Sequence, residues 1–308
     1  MEEPISPLDG RYMKKTKELK KYFNEAAFFK YRLLVEIKYF LKLIDILPEL
    51  NELRINKDKI QEKLYDVYNN FNDCTYKEIK KIEDITNHDV KAVEYYMSNI
   101  FKNIGIYKYT PFIHFALTSQ DINTTANMFC FKKGIMKCII PCIEVMMDEL
   151  ILLSCDMKNN IMISFTHGQP AVPTTMGKEF SVFLYRLESQ IKKLRDSNFT
   201  TKFGGAVGNF NAHKLSYPNI DWESFGDNFV KEGFDLEREQ CTTQISNYDN
   251  LCNTLNILKI INNIVNDMNI DCWLYISKGY LKQKINDKEI GSSTMPHKVN
   301  PINFENSE

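Results

Sequence analysis

The sequence lacks the patterns that mark membrane proteins, metal-binding proteins and proteins stabilised by disulfides. No apolar run in its 308 residues is long enough to cross a bilayer. Its eight cysteines include no CxxC pair, and His114 and His213 have no set of ligands nearby. We therefore predict no metal site, and we expect the cysteines to be reduced and buried in the core. The net charge of −1 gives no indication of a nucleic-acid or membrane surface.

Patterns typical of sheets, repeats and phosphate-binding loops are also missing. We find no alternating strand run of useful length and no internal repeat. The glycine-rich residues 202–209 (KFGGAVGN) have no Lys-Ser/Thr after them and no strand before them, so they are not a P-loop. Residues 1–12 do not form a signal peptide. Together with reduced thiols, these features predict a cytoplasmic all-α protein.

What the sequence does contain is apolar residues at helical spacing, interrupted by proline and by polar turns. Pro48 is expected to end the first helix, and Pro141 is expected to kink the longest one. The apolar stripe of that longest helix is wider than one partner helix can cover, which fits a bundle core that also packs against other subunits. The predicted helices span residues 16–47, 57–71, 76–104 with a break at 86–89, 121–158, 174–198, 221–232 and 247–279.

The segment 105–111 contains Gly105 and Pro111 and is predicted to be a hinge or a domain boundary. It divides the chain into a smaller N-terminal helical domain, residues 1–108, and a central helical-bundle domain, residues 109–308.

Two predicted helix starts carry polar groups that could bind an anion. Asn87 is expected to cap the helix after the break, which places His88 and Asp89 in its first turn. A histidine there faces exposed N–H groups, where anions bind. The alternative is that Asp89 only stabilises the helix dipole and His88 lies on the surface. Thr118 or Ser119 can cap the longest helix, so their hydroxyls form either a second anion pocket or a simple cap.

Two non-helical segments carry reactive side chains. Residues 166–175 (THGQPAVPTT) are predicted to be a rigid loop in which Gly168 lets a ligand approach the backbone beside His167, with Thr174 starting the next helix. A histidine that lies merely on the surface is the alternative. Prolines forbid continuous helix in residues 291–301 (GSSTMPHKVNP). Ser292 or Ser293 in this second loop can lose a proton if a cation sits close. The alternative is that the segment is simply a solvated surface loop.

Lys298 and Asn300 belong to the same loop, and together they can face an anion. Residues 291–301 as a whole resemble the signature of the fumarase/aspartase superfamily, whose members release fumarate. His297, between a proline and a lysine, is typical of the adenylosuccinate lyase branch; fumarases typically have glycine there and argininosuccinate lyases have glutamine.

Further motifs in a compatible order extend the resemblance over essentially the whole chain. They include residues 6–12 (SPLDGRY), 86–96 (TNHDVKAVEYY), 118–123 (TSQDIN) and 166–175. The family commonly has glutamate where this chain has Gln120, a departure that removes no chemistry.

The resemblance implies a lyase of purine nucleotide biosynthesis with an all-α, long helical-bundle fold. The reaction is β-elimination, which converts adenylosuccinate to AMP and fumarate and SAICAR to AICAR and fumarate. It needs no cofactor. The implied partners are the nucleotide substrate and other copies of the chain, in a homotetramer with shared active sites. Since members of the family continue beyond the signature, we expect this chain to be truncated at its C-terminus and inactive alone.

The resemblance also implies roles for individual residues. Removing a weakly acidic proton next to a carboxylate requires a base, cationic groups at that carboxylate and an acid for the leaving nitrogen. Ser292 is the implied base, and Lys298 and Asn300 stabilise the resulting aci-carboxylate. His167 is the implied acid, and His88 either holds the phosphate or supports His167. The implied substrate-binding residues are Arg11, Tyr12, Asp89, Thr118, Ser119, Thr166, Gln244 and Asn300.

Two other functions remain open at the level of sequence. The first is a sister lyase that releases fumarate from malate, aspartate or argininosuccinate, against which His297 and the motifs SPLDGRY and TNHD argue. The second is a non-catalytic structural protein on the same scaffold, against which the presence of Ser292, His167 and Lys298 argues.

Overall fold

The computed structural model describes residues 5–284 and 299–307, and this part of the chain is mostly helical. The predicted all-α class is confirmed. In chain order, the α-helices are α1 (Lys20–Phe23), α2 (Glu25–Ile46), α3 (Asn51–Arg54), α4 (Lys57–Asn69), α5 (Asp73–Thr86), α6 (Asp89–Asn103), α7 (Ser119–Gly134), α8 (Ile140–Asp156), α9 (Met176–Arg195), α10 (Asn211–Ser216), α11 (Trp222–Phe234), α12 (Asp249–Ser277) and α13 (Ile302–Glu305). The strands are β1 (Ile161–Thr166), β2 (Gln169–Thr175), β3 (Thr200–Thr201) and β4 (Glu237–Arg238).

The chain forms two compact units. The first contains Met1–Ile139 and Asn198–Leu251, and the second contains Ile140–Ser197 and Cys252–Glu308. These units do not coincide with a boundary at residue 108, because α7 packs against α2 and α6. Residues 107–112, predicted as a hinge, form a 3-10 helix in which Tyr109 is buried and donates a hydrogen bond to Glu52. The division into domains at 108 stays a prediction.

Helix α2 forms the centre of the first unit. It contacts α4, α5, α6 and α7, and more than half of its residues are buried. A helix that is apolar on nearly all sides is stable only when other elements surround it. Its buried residues are Ala27, Phe29, Leu33, Leu34, Val35, Glu36, Ile37, Tyr39, Phe40, Leu41, Leu43 and Ile44.

The first predicted helix, residues 16–47, is interrupted. A 3-10 turn (Lys17–Leu19) and α1 precede Asn24, whose backbone is extended (φ −117°, ψ 167°). The Asn24 side chain accepts a hydrogen bond from the backbone N–H of Ala27 at 2.7 Å and so caps α2. The end of the helix is as predicted, since Leu47 before Pro48 is extended.

The predicted distortion at Pro141 takes the form of a π-helical turn. Residues Ile135–Ile139 form this turn between α7 and α8. Because proline has no N–H and its ring clashes with the carbonyl four residues earlier, the wider turn accommodates it without ending the helix.

The second unit contains α8 packed against α9, with α12 linked to α9 by polar contacts. Arg186 pairs with Asp267 at 2.9 Å, and the Tyr275 hydroxyl donates to Glu179 at 2.9 Å. At the start of α9, a Cβ on Gly177 would lie 2.3 Å from the Ser154 carbonyl oxygen, so this close approach to α8 requires glycine.

The prediction of a loop at residues 166–175 is wrong. These residues belong to an antiparallel β-hairpin in which β1 pairs with β2, and α9 begins at Met176 rather than at Thr174. The sequence signal is weak because β2 contains Pro170 and Pro173, which cannot donate to a ladder. A two-stranded ribbon tolerates both, since each of its strands is an edge strand.

The expectation of core cysteines is also wrong for most of them. All eight thiols are free, but only Cys130 and Cys272 are buried. The exposed cysteines are Cys74, Cys142, Cys155, Cys241 and Cys252.

In the described residues, no helix is long and apolar enough to cross a membrane.

Candidate active site

The N-terminal ends of α6 and α7 meet in the first unit and bring together His88 and Ser119. His88, rather than the predicted Asn87, caps α6; its Nδ1 accepts a hydrogen bond from the Lys91 backbone N–H at 3.2 Å. Asn87 instead ends α5 in the left-handed conformation (φ 50°). Since Nδ1 is an acceptor, the proton of neutral His88 lies on Nε2, which is 3.5 Å from the Ser119 hydroxyl. Half of the His88 side chain is exposed.

Thr118 caps α7, as predicted, and its backbone N–H donates to Asp121 at 2.8 Å. The two helix starts, each the positive end of a helix dipole, thus lie beside one another together with an imidazole and a hydroxyl. This arrangement favours the binding of an anionic group.

Asp89 is held by a residue that sequence reasoning missed. Its Oδ2 pairs with Nη2 of Arg32 at 2.7 Å, and its Oδ1 accepts from the backbone N–H of Val90 at 2.8 Å. Arg32 also donates through Nε to the side chain of Asn123 on α7 at 2.8 Å. Asp89 is therefore engaged within the protein, and its predicted contact with substrate stays a prediction.

A fully buried ion pair lies beneath the start of α7. The Asp121 carboxylate is 2.7 Å from the Lys202 ammonium, and both side chains have no exposed surface. Asp121 also accepts from the backbone N–H groups of Gly204 at 2.9 Å and Gly205 at 3.1 Å. The glycine-rich segment is therefore a close-packed turn, tied to α7 by a capping carboxylate.

The segment 113–117 leads into Thr118 and has unusual backbone geometry. His114 and Ala116 have φ values of 57° and 58°, in the left-handed region. Nδ1 of His114 is 2.6 Å from buried Glu36. Burial alone would lower the pKa of His114, but the Glu36 carboxylate outweighs it and raises the pKa above its ordinary value.

Buried His213 supports the same segment. Tyr39 donates its hydroxyl proton to the Phe115 carbonyl at 2.8 Å, so His213 Nε2, 3.0 Å away, donates to the Tyr39 oxygen. Nδ1 of His213 is then unprotonated, and it is buried without a hydrogen-bond partner among the residues that the structure describes. Burial lowers the pKa of His213 to about 4, so this imidazole is neutral.

In the second unit, His167 lies at the tip of the β-hairpin. His167 and Gly168 have φ values of 54° and 73° and form the two-residue turn between Thr166 and Gln169. His167 and Thr166 are exposed. Behind the tip, the Phe165 ring contacts the Lys278 ammonium, which lies 3.5 Å from the ring centroid. The hairpin therefore presents an imidazole at a turn whose preceding strand is anchored to the end of α12.

The other predicted site residues have local contacts. Arg11 lies over the ring of Tyr12 at 5.7 Å, in an exposed turn region. Gln244 is exposed on a loop that Glu239 closes by accepting from the hydroxyl of Ser246 at 2.6 Å.

The C-terminal loop is described only in part. Asn300 is half-buried in the irregular segment before α13. Ser292, Ser293, His297 and Lys298 lie outside the described residues.

A family model described as lyase matches residues 10–308. The chain belongs to this lyase family. It is 48% identical to a protein named adenylosuccinate lyase from Dictyostelium discoideum and 47% identical to one from Legionella pneumophila strain Corby, each over 99% of this chain. The chain spans 66% of the length of both relatives.

Among solved structures, 3-carboxy-cis,cis-muconate lactonizing enzyme from Pseudomonas putida is similar, with a TM-score of 0.74 and 16% identity. The match covers 94% of this chain and 62% of that one. This likeness extends to the fold alone. The relatives therefore place the chain in the fumarase/aspartase superfamily, and the solved structure agrees with its helical architecture.

The place where the two helix starts meet, at His88 and Ser119, is called the pocket below. Two residues that support it, on α2, were not among the predicted site residues. Arg32 and Glu36 are four residues apart on α2, within a mostly buried run of that helix. Charged residues in such a run must find partners when buried, so their presence was a usable signal. The identity of those partners was not available, because Asp89, Asn123 and His114 are distant in the sequence.

Replacing Lys202 by Met should strongly destabilise the lyase. The change leaves the buried Asp121 charge without its ammonium partner, a loss worth about 3–5 kcal/mol. The measurement is the free energy of unfolding in urea. Lys214→Met is the matched control, because Lys214 pairs with Glu223 in solvent at 2.7 Å, where an ion pair contributes little. Equal effects of the two changes would contradict the role of the buried pair.

The stability of the folded chain should depend on pH through buried His213 and half-buried His114, with opposite signs. The pKa of His213 in the folded chain, about 4, lies below its ordinary value of 6.5. As pH falls from 6.5 to 4, the unfolded chain therefore binds a proton at His213 that the folded chain does not bind, and the folded state loses stability. Comparison with His213→Gln should reveal this loss of stability with acid. For His114, whose pKa is raised, the stabilisation is present below 6.5 and is lost as pH rises through the folded pKa.

The measurement is urea unfolding of the wild type, His213→Gln and His114→Gln between pH 4 and 8. If the free energy of unfolding depends on pH in the same way for the wild type and for His213→Gln, the lowered pKa of His213 is contradicted.

Proposed function

We propose that the full-length protein carrying this chain eliminates fumarate from adenylosuccinate to give AMP, and from SAICAR to give AICAR. The structural observation that carries the proposal is the convergence of two helix starts at His88 and Ser119, 3.5 Å apart. Such a pocket suits the anionic groups of a succinyl nucleotide. The names of relatives at 47–48% identity support the same reaction.

In the proposed mechanism, the chemistry is acid–base catalysis without a cofactor. Ser292 first loses its own hydroxyl proton, helped by the positive field of Lys298, and the resulting alkoxide removes the proton next to a substrate carboxylate. Lys298 and Asn300 stabilise the aci-carboxylate that forms. His167 protonates the leaving nitrogen. Its exposed place on the hairpin turn supports this role, because the imidazole is free to reach a ligand.

The proposed binding roles follow the two anionic ends of the substrate. Thr118 and Ser119 bind a carboxylate, and His88 holds the phosphate or supports His167. Arg11 and Tyr12 bind the nucleotide; the exposed guanidinium of Arg11 suits phosphate oxygens. Gln244, Thr166 and Asp89 complete the proposed set.

We further propose that the protein is a cytoplasmic homotetramer with shared active sites. The support lies in α8 and α12, which expose large apolar side chains that a monomer would leave in water. Eight free thiols suit a reducing compartment. The exposed apolar residues of these helices include Val145, Ile151, Leu152, Leu255, Ile260, Ile270, Trp273 and Leu274.

The full-length protein should consume adenylosuccinate and release fumarate, followed by ultraviolet absorbance. Ser292→Ala and His167→Ala should each lower kcat by about a hundredfold or more and leave KM largely unchanged, because an acid and a base act mainly in the transition state. Ser293→Ala is the matched control and should be mild. A large loss of kcat in Ser293→Ala together with a small loss in Ser292→Ala would reassign the base to Ser293. A wild-type protein that releases no fumarate would refute the proposed function.

Mixing two inactive variants should restore activity if sites are shared. Full-length Ser292→Ala and His167→Ala proteins, mixed at equal amounts with subunit exchange, should give about one site in four free of both changes, if the two residues come from different subunits. Fumarate release from the mixture is compared with that of each variant alone.

The control for this mixture is Ser292→Ala with Lys298→Ala, which change one loop and should not complement. No gain in the first mixture after demonstrated exchange would mean that His167 and Ser292 come from one chain.

A further inference from the structure

Three polar side chains lie along one face of α2, among the charged and apolar residues of this helix. Arg32, Glu36 and Tyr39 are spaced by four and three residues, so they lie along a single stripe. Glu36 and Tyr39 have no exposed surface, and only 13% of the Arg32 side chain is exposed. Such a stripe is costly to bury unless each group has a partner. Its partners on the segments that build the pocket are Asp89, Asn123, His114 and Phe115.

Arg32 joins the two helices whose starts form the pocket. Its Nη2 pairs with Asp89, the first residue of α6, at 2.7 Å, and its Nε donates to Asn123 of α7 at 2.8 Å. The guanidinium carbon also lies 5.3 Å over the Phe29 ring, which fixes the plane of the fork. A planar group with donors in fixed directions sets the spacing between its two acceptors, which the flexible point charge of lysine cannot do.

Glu36 and Tyr39 fix the segment between those helices. Glu36 contacts His114, and Tyr39 donates to the carbonyl of Phe115. His114 has a positive φ, a conformation that persists only where the surroundings hold it. The stripe therefore contacts α6, α7 and the segment that leads into Thr118.

We propose that Arg32 is a positioning residue, which fixes the distance between His88 and Ser119 by holding Asp89 and Asn123 on one guanidinium. Arg32 acts through these partners and does not touch the substrate. The inference rests on the proposed function, in which His88 and Ser119 bind the anionic groups of the substrate.

The test compares Arg32→Met, Arg32→Lys and Lys42→Met in the full-length protein with adenylosuccinate. A displaced pocket binds the substrate more weakly, so KM should rise about tenfold in Arg32→Met and less in Arg32→Lys, which keeps one contact. A purely structural role would lower the fraction of folded enzyme, and hence the maximal rate, without changing KM. Lys42→Met is the control, because it removes an ion pair of the same helix, with Glu232 at 2.6 Å, away from the pocket.

The outcomes separate the two claims. A wild type that releases no fumarate from adenylosuccinate refutes the proposed function itself. An active wild type together with an unchanged KM in Arg32→Met overturns the role of Arg32 and leaves the proposed function standing. If Arg32→Met does not fold, Arg32→Lys and Asn123→Leu each still remove one of the two contacts, and an unchanged KM in both overturns the inference.

Discussion

The buried charge of Asp121 is the constraint on which the pocket of the first unit depends. A carboxylate without access to water is tolerable only when an opposite charge and hydrogen-bond donors surround it. Lys202 supplies the charge, while Thr118, Gly204 and Gly205 supply backbone donors. Because one of those donors belongs to the cap of α7, satisfying the charge also fixes where α7 begins, and with it the position of Ser119 beside His88.

A consistent division between exposed and buried groups follows from this constraint. His88 is half exposed and free to meet a ligand, whereas Arg32, Glu36 and Asp121, which hold its surroundings, are largely or fully buried. Burial strengthens each supporting contact, because little water competes for its donors and acceptors. The exposed imidazole of His88 therefore stays accessible, while the buried groups that hold the helices are hydrogen-bonded within the protein.

The sequence predicted the helices and many local features, because those depend on neighbours along the chain. Apolar spacing located α2, α6 and α12, and Thr118 was recognised as a possible cap. The failures have physical causes. Asn87 tolerates the left-handed conformation and was needed to end α5, which left the capping of α6 to His88. The pairing of Asp121 with Lys202 links residues 81 positions apart, and no local pattern encodes such a contact.

The second unit exposes His167 and large apolar side chains of α8 and α12 to solvent. An acid that must deliver a proton to a leaving nitrogen needs a site from which bulk water is excluded, yet His167 is exposed on its turn. Val145 and Leu152 on α8 are 64% and 58% exposed, a cost that burial against another surface would remove. Burial against a second copy of the chain would meet both needs at once, and this is the physical reason for the proposal that the active sites form between subunits.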